Sequence, residues 1–277
     1  MHPFGPAHTL SDLLSRVLLI GSERELRHRP GDAVEDVVRT SLWLLARPPA
    51  RHRSTAPASP YAPRVIETIV LDIGETITRD DRYWASWADW LDIPHHTLSA
   101  LVGAVVAQGH DNAEALRLVR PGIDLAVEYN AREAAGRGEH LDETDLYADV
   151  RPGLSALRKL GARVIIAGNQ TRRSGELLRD LNLPADLVVT SEEWGVAKPQ
   201  PEFFRQVLDV ANAASSATLY VGDHPANDVF PAKAAGLRAA HIRRGPLGHL
   251  WADDPHVVAA ADWRIGSLTQ LAEILKE

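Results

Sequence analysis

Cysteine is absent from the 277 residues, which excludes disulfides and thiolate metal sites. Long apolar runs are absent too, so no bilayer-crossing helix is expected. The opening Met1-His2-Pro3-Phe4-Gly5-Pro6 lacks a basic segment followed by an apolar one, so no secretory signal is read there. A soluble, cytoplasmic protein is the resulting expectation. Basic residues are outnumbered, 30 against 37, and the net charge of −7 argues against nucleic acid as the main partner. No GxGxxG, P-loop or GxSxG pattern occurs. The dinucleotide, Walker-type nucleotide and serine-hydrolase readings therefore lose their usual support.

What the chain does have is organised around residues 65–78. Ile66, Ile69, Val70 and Leu71 make a short apolar, β-branched run that reads as a buried strand. Asp72 follows at once, and Gly74 stands two residues on. Ligands of open α/β sheets bind beyond the carboxyl ends of the strands, which is where Asp72 would stand. On this stretch alone the plainer reading, an Asp that caps the next turn, is favoured.

Residues 1–62 read as an N-terminal extension of two short amphipathic helices and a Pro/Ser/Arg-rich linker. Residues 63–79 then open a core. Residues 80–149 read as a wholly helical insertion. Trp84, Trp87 and Trp90 share a broad helix face within it, and further apolar stripes run through Leu98 to Val105, Leu116 to Val119 and 123–135. At least two of the tryptophans should pack the insertion, while Trp84, nearest the strand edge, is a candidate for a substrate pocket. His95 and His96, beside Pro94, read as a polar turn rather than a metal pair. Residues 150–277 return to the core with helices and strands in alternation. Strands are expected at 163–167, 186–190, 218–221 and 238–242, and helices at 152–160, 172–181, 202–211 and 227–235. That order predicts an α/β fold, a doubly wound parallel sheet.

The strand ends collect chemistry. Asp72 ends the first core strand. Gly222-Asp223 through Asp228 follows a later one, so Asp223 and Asp228 should converge on the same edge. Hard oxygen ligands of this kind suit Mg²⁺, which commonly also holds substrate phosphate. Lys198, in Gly195-Val196-Ala197-Lys198-Pro199-Gln200-Pro201, is placed to neutralise both a carboxylate and a phosphoryl group. Each feature has a plain structural explanation, but their coincidence at strand ends in this order does not.

These residues resemble the haloacid dehalogenase-like superfamily over about residues 63–277. Gly195-x-x-Lys198-Pro199-x-Pro201 and Gly222-Asp223-x-x-x-x-Asp228, with Ala234-Ala235-Gly236 after them, carry the resemblance. It implies a Rossmann-like core with residues 80–149 as a cap. It also implies Mg²⁺-dependent phosphohydrolase chemistry on a small phosphorylated metabolite, with Asp72 as nucleophile through an aspartyl-phosphate. Asp72, the Gly74 carbonyl and Asp223 would hold Mg²⁺, with Asp228 ordering the site. Lys198 would pair with the nucleophile and phosphate. Asn169 and Thr171, in or next to the second motif loop, would contact substrate.

Two positions depart from the family pattern. The residue two after the nucleophile, usually a second Asp that protonates the leaving group, is Gly74. The usual Ser or Thr of the second motif is Gly168. General acid–base help is typically worth about 10²–10⁴-fold, so slow turnover or a preference for weakly basic leaving groups is expected. Glu75, next along an extended chain, should point elsewhere. Two other readings remain: a non-enzymatic relative binding a phosphorylated ligand or protein, and a dehalogenase. The retained carboxylate set speaks against the dehalogenase, whose reaction needs no metal.

Overall fold

In the computed structural model, residues 66–277 are described. The two amphipathic helices and linker expected in residues 1–62 lie outside the described residues. The apolar run becomes strand β1 (Thr68–Leu71). After it come β2 (Arg163–Gly168), β3 (Leu187–Thr190), β4 (Thr218–Gly222), β5 (Arg238–Ile242) and β6 (Trp263–Ile265). All pair in parallel, in the order β3-β2-β1-β4-β5-β6. The order reverses between β1 and β4, so the crevice at their carboxyl ends is the ligand position of a doubly wound sheet.

Both faces of the sheet are covered, which is why its strands read as continuous apolar runs. Between β1 and β2 come α1 (Asp81–Leu91), α2 (His95–Ala107), α3 (Glu114–Val119), α4 (Leu125–Ala134) and α5 (Val150–Lys159). Then follow α6 (Arg172–Asp180), α7 (Ser191–Trp194), α8 (Pro201–Ala211), α9 (Phe230–Ala234), α10 (Gly245–Leu250), α11 (Pro255–Ala260) and α12 (Leu268–Ile274). Ile69, Leu71, Ile166 and Val221 pack against Leu154 of α5 and Leu271 of α12. Val70, Ile165 and Tyr220 pack on the other face against Phe203, Phe204 and Val207 of α8. The alternation along β1 thus sends successive side chains into two separate cores.

Helices α1 to α4 share an apolar cluster of their own, around Trp84, Trp87, Leu98 and Leu116. Trp87 is fully buried, meets Tyr129 edge-on at 5.1 Å, and lies under the Arg132 guanidinium at 4.1 Å. Trp87→Ala is expected to cost about 3–5 kcal/mol, because a buried aromatic leaves a cavity that helices of this length close poorly. Chemical denaturation followed by far-UV circular dichroism measures it as a lowered midpoint.

Two local expectations are corrected. His95 and His96 do not form a turn: Pro94, at φ −59° and ψ 136°, leads straight into α2, and the two histidines are its first residues. His95 Nε2 lies 2.7 Å from Asp89 at the exposed end of α1. The helix expected at 227–235 opens instead with a wider π turn, Pro225–Val229, before α9. There the Asp228 carboxylate accepts from the His224 amide at 2.9 Å, drawing the turn back toward β4.

Candidate functional site

The carboxyl ends of β1, β2 and β4 bring the expected residues together. Asp72 directly follows β1, with its amide still bonded to the Val221 carbonyl of β4 at 2.8 Å. Asp223 directly follows β4. Lys198 reaches in from the loop after α7, and its Nζ lies 2.6 Å from Asp72 Oδ1 and 2.6 Å from Asp228 Oδ1. Asp72, Lys198, Asp223 and Asp228 are all buried. One carboxylate oxygen from each of Asp72, Asp223 and Asp228 lies within 4.8 Å of the others.

Three buried acids facing one ammonium leave an excess of negative charge. Burial pushes the Asp72 carboxyl up to about 6, against the opposing pull of Lys198. Burial and then the charges of Asp228 and Asp72 push Asp223 well above the ordinary carboxylate range. Lys198 is held well above its usual value by Asp228 and Asp72 despite burial. Among the described residues no donor bonds the Asp223 carboxylate side chain, whereas both Asp228 oxygens are occupied, by Lys198 and the His224 amide. An all-oxygen donor set with uncompensated charge fits a hard divalent cation such as Mg²⁺.

Local sequence explains the close approach. A Cβ on Gly168 would collide with Asp72 Oδ1 and lie 3.0 Å from the Ile73 amide nitrogen, so the Asp72 carboxylate occupies space that a larger residue would fill. Asn169, read from the sequence as substrate-binding, has both ends of its carboxamide on Lys198. Its Oδ1 accepts from the Lys198 amide at 2.8 Å, and its Nδ2 donates to the Lys198 carbonyl at 2.9 Å. Its visible work is to hold the lysine in place.

Asp72, Gly74, Trp84, Asn169, Lys198 and Asp223 line one cavity of about 260 Å³. Thr171 is not brought to it. Its hydroxyl caps α6 by accepting from the Ser174 amide at 3.0 Å and donates to Glu139, facing a neighbouring cavity of about 350 Å³. The reason is helix initiation: Thr171 satisfies an orphan amide of α6 that no backbone carbonyl reaches.

The segment after Asp72 departs most from sequence expectation. Gly74 is not the left-handed residue; Glu75 is, at φ 51°. The chain is therefore not extended there. Glu75 lines the Asp72 cavity, where its carboxylate accepts from the Asp80 amide at 3.2 Å and from the Tyr147 hydroxyl. Asp80 lines the same cavity and was not singled out by the sequence; its only signal was an Asp immediately before a helical stripe. Burial, then the charges of Glu75 and Asp72, hold the Asp80 carboxyl well above its ordinary range.

A parallel sheet with acids and a lysine at its reversal point defines a class, and comparison with known proteins names it. Residues 66–236 match the haloacid dehalogenase-like hydrolase family, and the chain belongs to that family. A glyceraldehyde 3-phosphate phosphatase of Methanocaldococcus jannaschii is 33% identical over 126 residues, covering 44% of this chain and 53% of that protein. The chain thus spans about half the length of that relative. A phosphoserine phosphatase of Thermus thermophilus is 31% identical over 198 residues, covering 61% of this chain and 77% of that one. Among solved structures, a putative HAD-hydrolase of Bacillus subtilis, YfnB, bound to magnesium, superposes with a TM-score of 0.57 at 20% identity. That superposition covers 77% of this chain and 100% of that chain, a likeness of fold. No helix among the described residues is long and apolar enough to cross a membrane.

Proposed function

We propose that this chain is a Mg²⁺-dependent phosphoric monoester hydrolase acting on a small phosphorylated metabolite, with Asp72 as nucleophile and residues 80–149 as a cap over the site. The observation that carries the proposal is the Lys198 ammonium bridging Asp72 and Asp228 at the sheet's reversal point, with the Asp223 carboxylate left over. The phosphatase names of the relatives support the reaction type.

Asp72 supplies a carboxylate for attack on phosphorus, forming an acyl phosphate that water later cleaves. Lys198 holds that carboxylate in line and opposes the negative charge of the phosphoryl oxygens, the main task in a reaction with little covalent work for the protein. Asp223, with Asp72 and the Gly74 carbonyl, would hold Mg²⁺, which when bound supplies further charge neutralisation. Asp228 and Asn169 keep Lys198 in position from either side. Trp84 closes one wall with apolar surface, on the cap side.

A dehalogenase would have no use for the unpaired Asp223. The reading is tested by assaying the purified protein on a panel of phosphorylated metabolites with Mg²⁺. Asp223→Ala should raise the Mg²⁺ concentration for half-maximal activity, and by more than Asp228→Ala does. Asp223 is proposed to meet the ion directly, whereas Asp228 works through the lysine. A Mg²⁺ titration unmoved by Asp223→Ala would overturn the assignment.

A further inference from the structure

The phosphohydrolase reading leaves one chemical gap. A departing alkoxide needs a proton, and position 74 is a glycine. The structure fills the place from another point in the chain. A Cβ built on Gly74 would lie 3.4 Å from Asp80 Oδ2 and 3.5 Å from Asp80 Oδ1, so both oxygens face the spot where a residue-74 side chain would begin. Beyond residues 73–75, the next neighbour of that spot is Gln170 Nε2 at 3.7 Å.

Asp80 occupies the N-cap of α1, where an Asp normally bends back to accept from first-turn amides. Here it makes no such bond. Among the described residues its carboxylate accepts no hydrogen bond at all, while its own amide and carbonyl are engaged by Glu75 and Trp84. The cap interaction is forgone and the carboxyl is turned toward Gly74. It stands where the Asp72 cavity meets the neighbouring polar cavity lined by Tyr83, Arg132 and Glu139. A leaving group extending from a phosphoryl group on Asp72 into that second space would pass it.

The aim is built in. Left-handed Glu75 accepts from the Asp80 amide at 3.2 Å and from the Tyr147 hydroxyl. Tyr147 lies under the Arg244 guanidinium at 4.2 Å, and Arg244 donates to the Thr76 carbonyl at 2.6 Å and pairs with Asp149. The segment from Gly74 to Asp80 is thus pinned by buried Arg244 and by half-buried Glu75 and Tyr147.

We propose that Asp80 is the general acid and base of this chain, replacing the carboxyl absent at Gly74. The proposal rests on the phosphohydrolase reading. In the first step a lone pair of Asp72 Oδ forms a bond to phosphorus while the ester P–O bond breaks. The Asp80 carboxylic acid gives its proton to the departing oxygen, releasing an alcohol. In the second step Asp80, now a carboxylate, takes a proton from water as the water oxygen bonds to phosphorus. The P–O bond to Asp72 breaks, leaving free phosphate, the Asp72 carboxylate and Asp80 reprotonated.

The test compares glycerol phosphate, with a basic leaving group, and para-nitrophenyl phosphate, with a weakly basic one, both with Mg²⁺. Asp80→Asn should slow phosphate release from glycerol phosphate by about 10²–10⁴-fold. On para-nitrophenyl phosphate it should still give a stoichiometric burst of nitrophenolate followed by slow turnover, because only the second step then lacks its base. Adding Gly74→Asp to Asp80→Asn should restore part of the glycerol phosphate rate. Asp80→Ser carries the same expectations should the Asn variant not fold. A folded Asp80 variant with wild-type rates on both esters would overturn the proposal. So would equal losses on both, with neither burst nor rescue. Wild-type protein inactive on both esters and on the metabolite panel would instead remove the phosphohydrolase reading, and the proposal with it, so the two failures are told apart.

Discussion

Asp72→Asn is expected to abolish phosphate release while leaving the protein folded and no less stable. The loss should be on the order of 10⁴–10⁶-fold, the scale seen when a covalent nucleophile is removed. The stability expectation follows from the site's charge balance. Burial raises the Asp72 carboxyl to about 6 even with Lys198 2.6 Å away, so ionisation at neutral pH is opposed by its surroundings. The sign follows directly. A carboxyl whose folded value lies above its ordinary one makes the fold less stable as pH rises from about 4 through about 6, and a neutral amide of the same shape escapes that cost. The Asn variant should therefore melt at or above the wild-type temperature at pH 7 without added metal. Phosphate assays and differential scanning calorimetry on the same preparation check both halves. Retained turnover in a folded Asn variant would remove Asp72 from the chemistry.

Lys198→Met carries the second large effect, and here activity and stability should fall together. Lys198 is buried and its ammonium is shared by two buried carboxylates, which lie within 4.8 Å of a third, that of Asp223. Removing one partner of a buried ion pair commonly costs about 3–5 kcal/mol, because the remaining charges stay buried and unpaired. Methionine keeps most of the volume, so little of that loss is packing. Activity should drop by at least about 10²–10³-fold, the loss found when one donor to a developing oxyanion is deleted. Urea denaturation separates the terms: Mg²⁺ should recover part of the lost stability by mass action, since it binds the folded carboxylates. A Met variant of wild-type stability would mean that the three acids do not depend on the lysine.

Where side-chain period and strand-end position decide the outcome, the sequence was legible. The runs at Ile69 to Leu71, Val164 to Ala167 and Leu219 to Val221 read as buried strands, and they are strands covered on both faces, with Asp72 and Asp223 at one edge of that sheet. Strand β6 escaped because three residues, one of them exposed Arg264, carry no readable period. Helices α10 and α11 have six residues each and α12 seven, too short for a period to stand out, although α12 does bury a stripe of Leu268, Leu271 and Ala272. Glu75 was misread because alternation along a strand ceases to hold at a left-handed residue, and nothing in Gly74-Glu75-Thr76 announces which of them bends. Asp80 was invisible for a related reason. Whether an N-cap Asp turns to its helix or away is settled by Glu75 and by Tyr147, a residue far along the chain. Thr171 falls in the neighbouring cavity rather than the Asp72 cavity because its hydroxyl starts α6.

The most direct measurement is phosphate release from para-nitrophenyl phosphate by the purified wild-type protein, with Mg²⁺, with EDTA, and with Mg²⁺ restored in excess. Steady release that stops with EDTA and returns with Mg²⁺ is the expected result, since the leftover charge of Asp72 and Asp223 is the feature that calls for a cation. Release that is indifferent to EDTA, or no release under any of the three conditions, would contradict a metal-assisted phosphoryl transfer at Asp72.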